Sequence, residues 1–189
     1  MSDTPAPPAR LPRDVTEEGD GIVVGDGAAR IDVFVDFLCP FCKQFEERAA
    51  ADLARLAAEG TASVVYHPLA FLERLSTNHY SSRASAASGA AADGGAFVAF
   101  KDALFADQPE ENGPGHSDDE LVAIGVKAGL DEAAFGDAVR SQAYLPWTAY
   151  LTELAIEDGV SGTPSVFVDG APVEPDPGAI EAAIGRVGQ

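Results

Sequence analysis

The chain contains two cysteines, Cys39 and Cys42, and they stand where a predicted strand gives way to a predicted helix. Residues 31–37 precede them, and apolar side chains occupy both faces of this run, which is typical of a strand buried inside a sheet. Pro40 lies between the cysteines, and proline suits the first turn of a helix because the N–H that it lacks has no partner there. The spacing C-x-x-C at such a junction predicts redox chemistry.

A helix and a second strand are predicted after the cysteines. Apolar side chains recur at helical spacing across residues 45–56, and Gly60 is suited to the end of that helix. On the same helix we expect Lys43 and Glu46 to lie on a solvated face. Residues 62–66 then predict a strand. The order strand, helix, strand predicts a βαβ unit with the cysteines at its first junction.

A cysteine at the N-terminus of a helix is well placed for thiolate chemistry. Free N–H groups and the positive end of the helix dipole stabilise S⁻ and lower the thiol pKa from its usual value of about 8.5. We expect Cys39, before the first turn, to be the more exposed nucleophile. Cys42 lies one turn into the helix, so we expect it to be buried and to resolve a mixed disulfide.

Other roles for the two cysteines explain fewer of the features around them. A structural disulfide framework needs more cysteines, spread along the chain. A zinc site needs two further ligands, and the histidines His67, His79 and His116 lie far apart without a paired spacing. Two unrelated core cysteines leave the intervening Pro40 unexplained. We therefore expect no metal site.

The charge of the chain excludes one class of partner. It has 31 acidic and 12 basic residues, which gives a formal net charge of −19. Such a surface repels nucleic-acid phosphates, and no cluster of Lys and Arg offers a local exception. No stretch approaches the roughly 18 consecutive apolar residues that a membrane-spanning helix requires. We therefore expect an acidic, well-solvated globular protein that does not bind nucleic acid.

The rest of the chain is predicted to add a tail, a helical block and a final hairpin. Residues 1–20 hold four prolines and few large apolar side chains, so we expect a flexible N-terminal tail. Apolar side chains recur mostly at helical spacing across residues 76–157. Residues 165–173 predict a β-hairpin, and residues 177–187 predict a terminal helix.

Three stretches resemble the DsbA-like thiol-disulfide oxidoreductases of the thioredoxin superfamily, and most closely those of actinobacteria. They are residues 35–43 (VDFLCPFCK), 67–72 (HPLAFL) and 159–164 (GVSGTP). The resemblance runs from about Gly21 to the C-terminus. It implies an α/β chain with the thioredoxin fold and a helical insertion.

The resemblance also implies how the chain is divided. Residues 21–75 and 158–189 would form the thioredoxin-like domain, and residues 76–157 would form the helical insertion that marks DsbA-like proteins. The spacing along the chain agrees with an insertion. Pro164 follows Cys39 by 125 positions, far more than the roughly 30 residues of a βαβ unit.

The resemblance assigns roles to the residues that match the family's motifs. Cys39 would exchange disulfides with the substrate, and Cys42 would resolve the mixed disulfide. Pro164 would be a cis-proline beside the disulfide, where its missing N–H leaves nothing unpaired against the sulfurs. Thr163 would present its backbone to an extended substrate segment, as in strand addition, and its hydroxyl to the Cys39 sulfur.

The chain departs from strongly oxidising members of that family at two positions. Phe41 stands between the cysteines where those members carry His. Phenylalanine donates no hydrogen bond and bears no charge, so we expect a less oxidising pair, and Phe41 can also serve as an apolar contact for substrates. Val33 stands where those members tend to place a carboxylate. Asp36 is then either a proton relay to Cys42 or a partly solvated acid at the end of the strand.

The function that these features favour is exchange of the Cys39–Cys42 disulfide with dithiols in protein substrates, in the direction of an oxidase. We expect no cofactor, because the disulfide is itself the redox group, and a redox partner must reset it. Two alternatives stay open. One is a thioredoxin-like reductase, and the other is a peptide-binding module in which the C-x-x-C pair is inert.

Two features of the sequence favour opposite locations. Disulfide chemistry favours the extracytoplasmic side, where disulfides persist. The first 20 residues lack the basic and apolar regions of a signal peptide, and a start at Met1 favours the cytoplasm. We expect a secreted or membrane-anchored protein whose targeting segment is absent from this sequence, with a cytoplasmic protein as the alternative.

Overall fold

The computed structural model describes residues 5–187, and this part of the chain contains five strands and seven α-helices. In chain order they are β1 (Ile22–Val24), β2 (Ala29–Val35), α1 (Pro40–Ala58), β3 (Ala62–Pro68), α2 (Tyr80–Asp93), α3 (Phe97–Ala106), α4 (Asp118–Lys127), α5 (Glu132–Arg140), α6 (Leu145–Glu157), β4 (Ser165–Val168), β5 (Ala171–Val173) and α7 (Pro177–Val187). A short 3₁₀ helix, Glu73–Leu75, precedes α2.

The five strands form one sheet in the order β1-β3-β2-β4-β5. β2 runs parallel to β3 and antiparallel to β4, and the edge strands β1 and β5 each pair antiparallel with their neighbour. The parallel pair β2 and β3 is joined through α1, which confirms the predicted βαβ unit and the α/β class. Ile31, Val33 and Val35 of β2 are buried, as its central place in the sheet requires.

The helices α2 to α6 follow one another between β3 and β4. α2 is the centre of this block and contacts α3, α4, α5 and α6. Its alanine- and serine-rich sequence allows these close approaches, and a Cβ added at Gly89 would lie 3.1 Å from the Trp147 ring. The buried hydroxyl of Ser85 donates to the carbonyl of Pro68, which ties the helical block to the end of β3. The division of the chain into a domain and an insertion at residues 76–157 stays a prediction.

The N-terminal segment differs from the flexible tail that was predicted for residues 1–20. Residues 1–4 lie outside the described part of the chain, but the segment before β1 is packed on the core. The Trp147 Nε1–H donates to the Gly19 carbonyl at 2.8 Å, and the Tyr150 hydroxyl donates to the Glu18 carbonyl at 2.8 Å. The prediction considered only the segment's own apolar content, whereas its backbone carbonyls satisfy buried donors of α6.

Candidate active site

The register of the sheet brings two distant loops to one end of it. Phe34, near the end of β2, pairs with Ser165, the first residue of β4. Because β2 and β4 are antiparallel, the residues that follow β2 and the residues that precede β4 lie side by side. The Cys39 thiol therefore meets the Thr163 carbonyl oxygen, and its Sγ donates to that oxygen at 3.3 Å.

The two cysteines sit at the N-terminus of α1, as predicted. Cys39 is the residue that precedes the first helical position, Pro40 occupies that position, and Cys42 lies within the first turn. The cysteines are free thiols and both are buried, with 3% of Cys39 and none of Cys42 exposed. Phe41, which lies between them in the sequence, has 67% of its surface exposed. Cys39 is thus the more exposed of the two, by a narrow margin.

The surroundings of Cys39 stabilise its thiolate. A hydrogen bond from the Cys42 thiol lowers the pKa of Cys39 most, burial works against it, and the net result is a pKa of about 6. The side chain of Thr163 and the backbone N–H groups of Cys42 and Phe41 lower the pKa further. These N–H groups belong to the first turn of α1, where helix N–H groups have no intrahelical partner.

The surroundings of Cys42 have the opposite effect. Burial raises the pKa of the Cys42 thiol, and its hydrogen bond and charge interaction with Cys39 raise it further. Near neutral pH one proton therefore stays on Cys42 while Cys39 is ionised. This arrangement suits Cys39 to act as a nucleophile and as a leaving group, since thiolates of low pKa leave disulfides faster.

Thr163 faces the Cys39 thiol, and Pro164 follows it in the chain. The peptide bond between them is cis, as the resemblance implied. Ser165 Oγ donates to the Gly162 carbonyl at 2.7 Å and closes the turn that leads into β4. The Thr163 side chain lowers the pKa of both thiols.

Asp36 is fully buried, whereas one of its two sequence-based interpretations placed it in partial contact with solvent. Its Oδ1 accepts from the Leu38 N–H at 2.9 Å and from the Ser81 hydroxyl at 2.8 Å, and its Oδ2 accepts from the Leu72 N–H at 2.9 Å. Burial raises the pKa of this carboxyl to about 6, against these hydrogen bonds. The carboxylate thus accepts its hydrogen bonds from groups other than the thiols. Transfer of a proton between Asp36 and Cys42 stays a prediction.

An apolar groove of about 670 Å³ opens beside Cys39. Phe41, Phe71 and Ile156 are among its apolar lining residues, and the segment 159–163 supplies part of its polar backbone. Phe41 and Ile156 are also two of the few large apolar side chains that are well exposed. Exposed apolar surface around a reactive thiol is typical of a binding site for apolar side chains of another chain.

One side chain supports the active-site turn and was missed in the sequence. The Gln108 side-chain amide, after α3, donates to the carbonyl oxygens of Phe37 and Cys39 at 2.9 and 3.0 Å. It holds the turn from both sides of Leu38. Nothing in the sequence signals this contact, because Gln108 lies 69 residues from Cys39.

Glu46 corrects the expectation of a solvated helix face. It is 6% exposed and forms a buried ion pair with Lys101 of α3, which is 1% exposed. Burial raises the pKa of this carboxyl, and Lys101 counteracts the shift. A signal was present in the sequence: Glu46 lies on the same helical stripe as Cys42, Ala49 and Leu53, all of which are buried.

Residues 5–187 contain no group of three or more His, Cys, Asp or Glu side chains that could hold a metal ion. In this described range, no helix is long and apolar enough to cross a membrane.

Comparison with known proteins agrees with the geometry of the site. Residues 30–184 match the model of the DSBA-like thioredoxin domain family. The chain is similar to the reduced form of the disulfide bond oxidoreductase DsbG from Mycobacterium tuberculosis, with 32% identity and a TM-score of 0.80 over 90% of this chain and 89% of that one. It is also similar to reduced DsbA from the same organism, with 30% identity and a TM-score of 0.79 over 90% and 93% of the two chains.

A curated relative extends the similarity to a larger protein. The chain is 34% identical over 167 residues to the serine/threonine-protein kinase PknE of Mycobacterium tuberculosis. This match covers 82% of the chain but only 29% of the kinase, so the chain spans less than a third of that relative's length.

Proposed function

Since the chain belongs to the family of DSBA-like thioredoxin domains and is a protein thiol-disulfide oxidoreductase, we propose that it works as an oxidase. In this role it passes the Cys39–Cys42 disulfide to pairs of thiols in other proteins. The observation that carries the proposal is the position of Cys39 at the N-terminus of α1, where the Cys42 thiol and the backbone N–H groups of the first turn stabilise its thiolate and lower its pKa to about 6. A stabilised thiolate favours the dithiol form of the protein, and this makes its disulfide a better oxidant.

The proposed reaction has two exchange steps. A substrate thiolate attacks Sγ of Cys39, a bond forms between the substrate sulfur and Cys39, and the Cys39–Cys42 bond breaks. Cys42 leaves with the electron pair and takes up a proton, which suits the raised pKa of its thiol. The second substrate thiolate then attacks the bridging substrate sulfur and releases Cys39 as a thiolate. The substrate dithiol loses two electrons and two protons. The protein gains both electrons and one proton, which is on Cys42, and the other proton goes to solvent.

The surrounding residues would bind the substrate during these steps. We propose that the backbone of Thr163, beside the cis bond to Pro164, pairs with an extended substrate segment. Pro40 starts the helix that holds the thiols, and Phe41 is exposed at the groove. The apolar lining favours substrates with apolar side chains near the reacting cysteine.

We also propose an extracytoplasmic location and a partner that resets the disulfide. Each turnover leaves Cys39 and Cys42 reduced, so a second oxidoreductase or small oxidant must accept two electrons from them. Newly formed disulfides persist outside the reducing cytoplasm, which supports the extracytoplasmic location for an oxidase.

The direct experiment is oxidation of a reduced, unfolded protein that has two cysteines. The oxidised chain is mixed with an equimolar amount of this substrate, and disulfides are counted by mass after alkylation. We expect loss of two free thiols from the substrate and their appearance on Cys39 and Cys42. Mixed instead with a disulfide-bonded substrate, the variant Cys42→Ala should accumulate a mixed disulfide through Cys39, with release of one substrate thiol, whereas Cys39→Ala should form none. Reduction of a disulfide-bonded substrate by the dithiol form, without the forward reaction, would instead support a reductase.

A further inference from the structure

We propose that Asp36 is a positioning residue for substrate binding, because its carboxylate joins one wall of the apolar groove to the turn that carries Cys39. The inference rests on the proposed function, since it concerns the same site. It assigns the Asp36 side chain to binding of the substrate chain rather than to the chemistry of the sulfurs.

The Asp36 side chain connects three segments that are distant in sequence. Its partner Leu38 directly precedes Cys39, and Ser81 lies in the first turn of α2. The third partner, Leu72, lines the groove together with Phe71. One buried carboxylate therefore sets the distance between the nucleophile's turn, the groove wall and the helical block.

The segment that leads to Leu72 shows why this contact matters. The Leu69 N–H donates to the carbonyl at the end of β2, 2.7 Å away, and the Ala70 N–H donates to the Thr152 hydroxyl at 3.1 Å. The next backbone anchor in the described structure is Leu72 at Asp36. Phe71 lies between these anchors, so the contact with Asp36 decides how firmly Phe71 and Leu72 are held in the groove.

The 3₁₀ helix after this segment has a separate anchor. Glu73 accepts hydrogen bonds from the N–H and the hydroxyl of Ser82 in α2, at 2.9 and 2.7 Å. This contact joins the segment to the helical block but not to the cysteine turn. Asp36 alone, among the side chains named here, contacts both the turn and the groove wall.

The backbone of Asp36, by contrast, serves the thiols. Its carbonyl accepts from the Cys39 N–H at 3.0 Å, and a backbone hydrogen bond of Asp36 lowers the pKa of Cys42 against the effect of burial. A substitution of the side chain leaves these backbone bonds in place. Binding and sulfur chemistry can therefore be separated by experiment.

The informative variant is Asp36→Asn. A carboxylate offers acceptors on both oxygens, whereas an amide offers one oxygen and one NH₂ group. In either orientation of the amide, its NH₂ faces the N–H of Leu72 or the donors of Leu38 and Ser81. A donor then opposes a donor inside the core, and the contact at that side is lost.

The measurement compares a large and a small substrate. One is a peptide with two cysteines and an apolar residue beside each, and the other is dithiothreitol, which does not require the groove. For Asp36→Asn we expect the KM for the peptide to rise at least fivefold with kcat within twofold. The rate with dithiothreitol should stay within twofold of that of the unsubstituted protein. The midpoint of the pH titration of Cys39 thiolate absorbance should not change.

Two matched variants sharpen the comparison. Ser81→Ala removes one of the three hydrogen bonds and should raise the KM for the peptide by about twofold. Asp32→Asn changes another buried acid of the same region, which binds Arg30 and His67 rather than groove residues, and its peptide KM should not change. If Asp36→Asn does not fold, Ser81→Ala carries the test, and an unchanged KM in that variant overturns the inference.

Other outcomes are equally decisive. Equal losses with peptide and dithiothreitol, together with a shifted pH profile, would overturn the inference and favour a proton relay. An unchanged peptide KM in a folded Asp36→Asn protein would overturn it as well. If the unsubstituted protein exchanged no disulfide even with dithiothreitol, the proposed function itself would fail, and the inference with it.

Discussion

Cys39 and Cys42 lie within one helical turn, and their surroundings shift the pKa values of the two thiols in opposite directions. The pKa of Cys39 is lowered to about 6, chiefly by its hydrogen bond with Cys42 and also by groups at the start of α1. Cys42 is buried behind it and keeps its proton. Near neutral pH the two chemically identical side chains therefore differ in charge, and this difference supports the proposed roles of Cys39 as the nucleophile and Cys42 as the resolving thiol.

The reactivity of Cys39 should follow this pKa. Because only the thiolate is alkylated, we expect the rate of its reaction with iodoacetamide to rise with pH through about 6 and to level off above pH 7. An ordinary thiol would still be gaining reactivity at pH 8.5. Cys42→Ala removes the largest cause of the shift, so its profile should move to higher pH. A wild-type profile centred near 8.5 would contradict this account of the site.

At the scale of elements, α1 does more than present the cysteines. The stripe that buries Cys42 also buries Glu46 one turn later, where it meets Lys101 of α3. Within residues 5–187 the second carboxylate oxygen of Glu46 has no hydrogen-bond partner. The ion pair therefore joins α1 to the helical block at a place where neither charge reaches water.

Breaking this pair from one side should be costly. Lys101→Met leaves the Glu46 carboxylate buried without a partner, and we expect the free energy of unfolding to fall by about 3–5 kcal/mol in urea titrations. The double variant Glu46→Leu with Lys101→Met removes both charges and should recover most of that loss. Arg140→Met, which breaks an exposed ion pair with Asp119, serves as the control and should leave the urea midpoint unchanged. Equal losses in the single and double variants would show that the cost comes from packing rather than from charge.

For the molecule as a whole, the sequence predicted the features that depend on local patterns, which are the order of strands and helices and the position of the cysteine motif. The alternating strands and helices around the C-x-x-C pair predict the α/β class, and the structure confirms it. The resemblance adds the thioredoxin fold with a helical insertion, and the match to the DSBA-like thioredoxin domain confirms that fold. The cis bond at Pro164 also agrees with that resemblance.

The parts that the sequence did not predict depend on contacts between distant segments. Gln108 reaches the cysteine turn from the end of α3, and Trp147 fixes the N-terminal segment through a backbone carbonyl. The burial of Asp36 follows from three donors, two of which lie more than 30 residues away. No periodicity or spacing records such contacts, because each depends on how the elements pack in three dimensions.

The central claim is that this assembly works as an oxidase, and the reduction potential of the Cys39–Cys42 pair tests it most directly. The pair is equilibrated in glutathione or dithiothreitol buffers of known ratio, and the thiols are counted by mass after tagging. We expect a value between about −120 and −180 mV, in the range of oxidases and isomerases, because the Cys39 thiolate stabilises the dithiol form. A value near −270 mV, the range of thioredoxin, would contradict the account and identify the chain as a reductase.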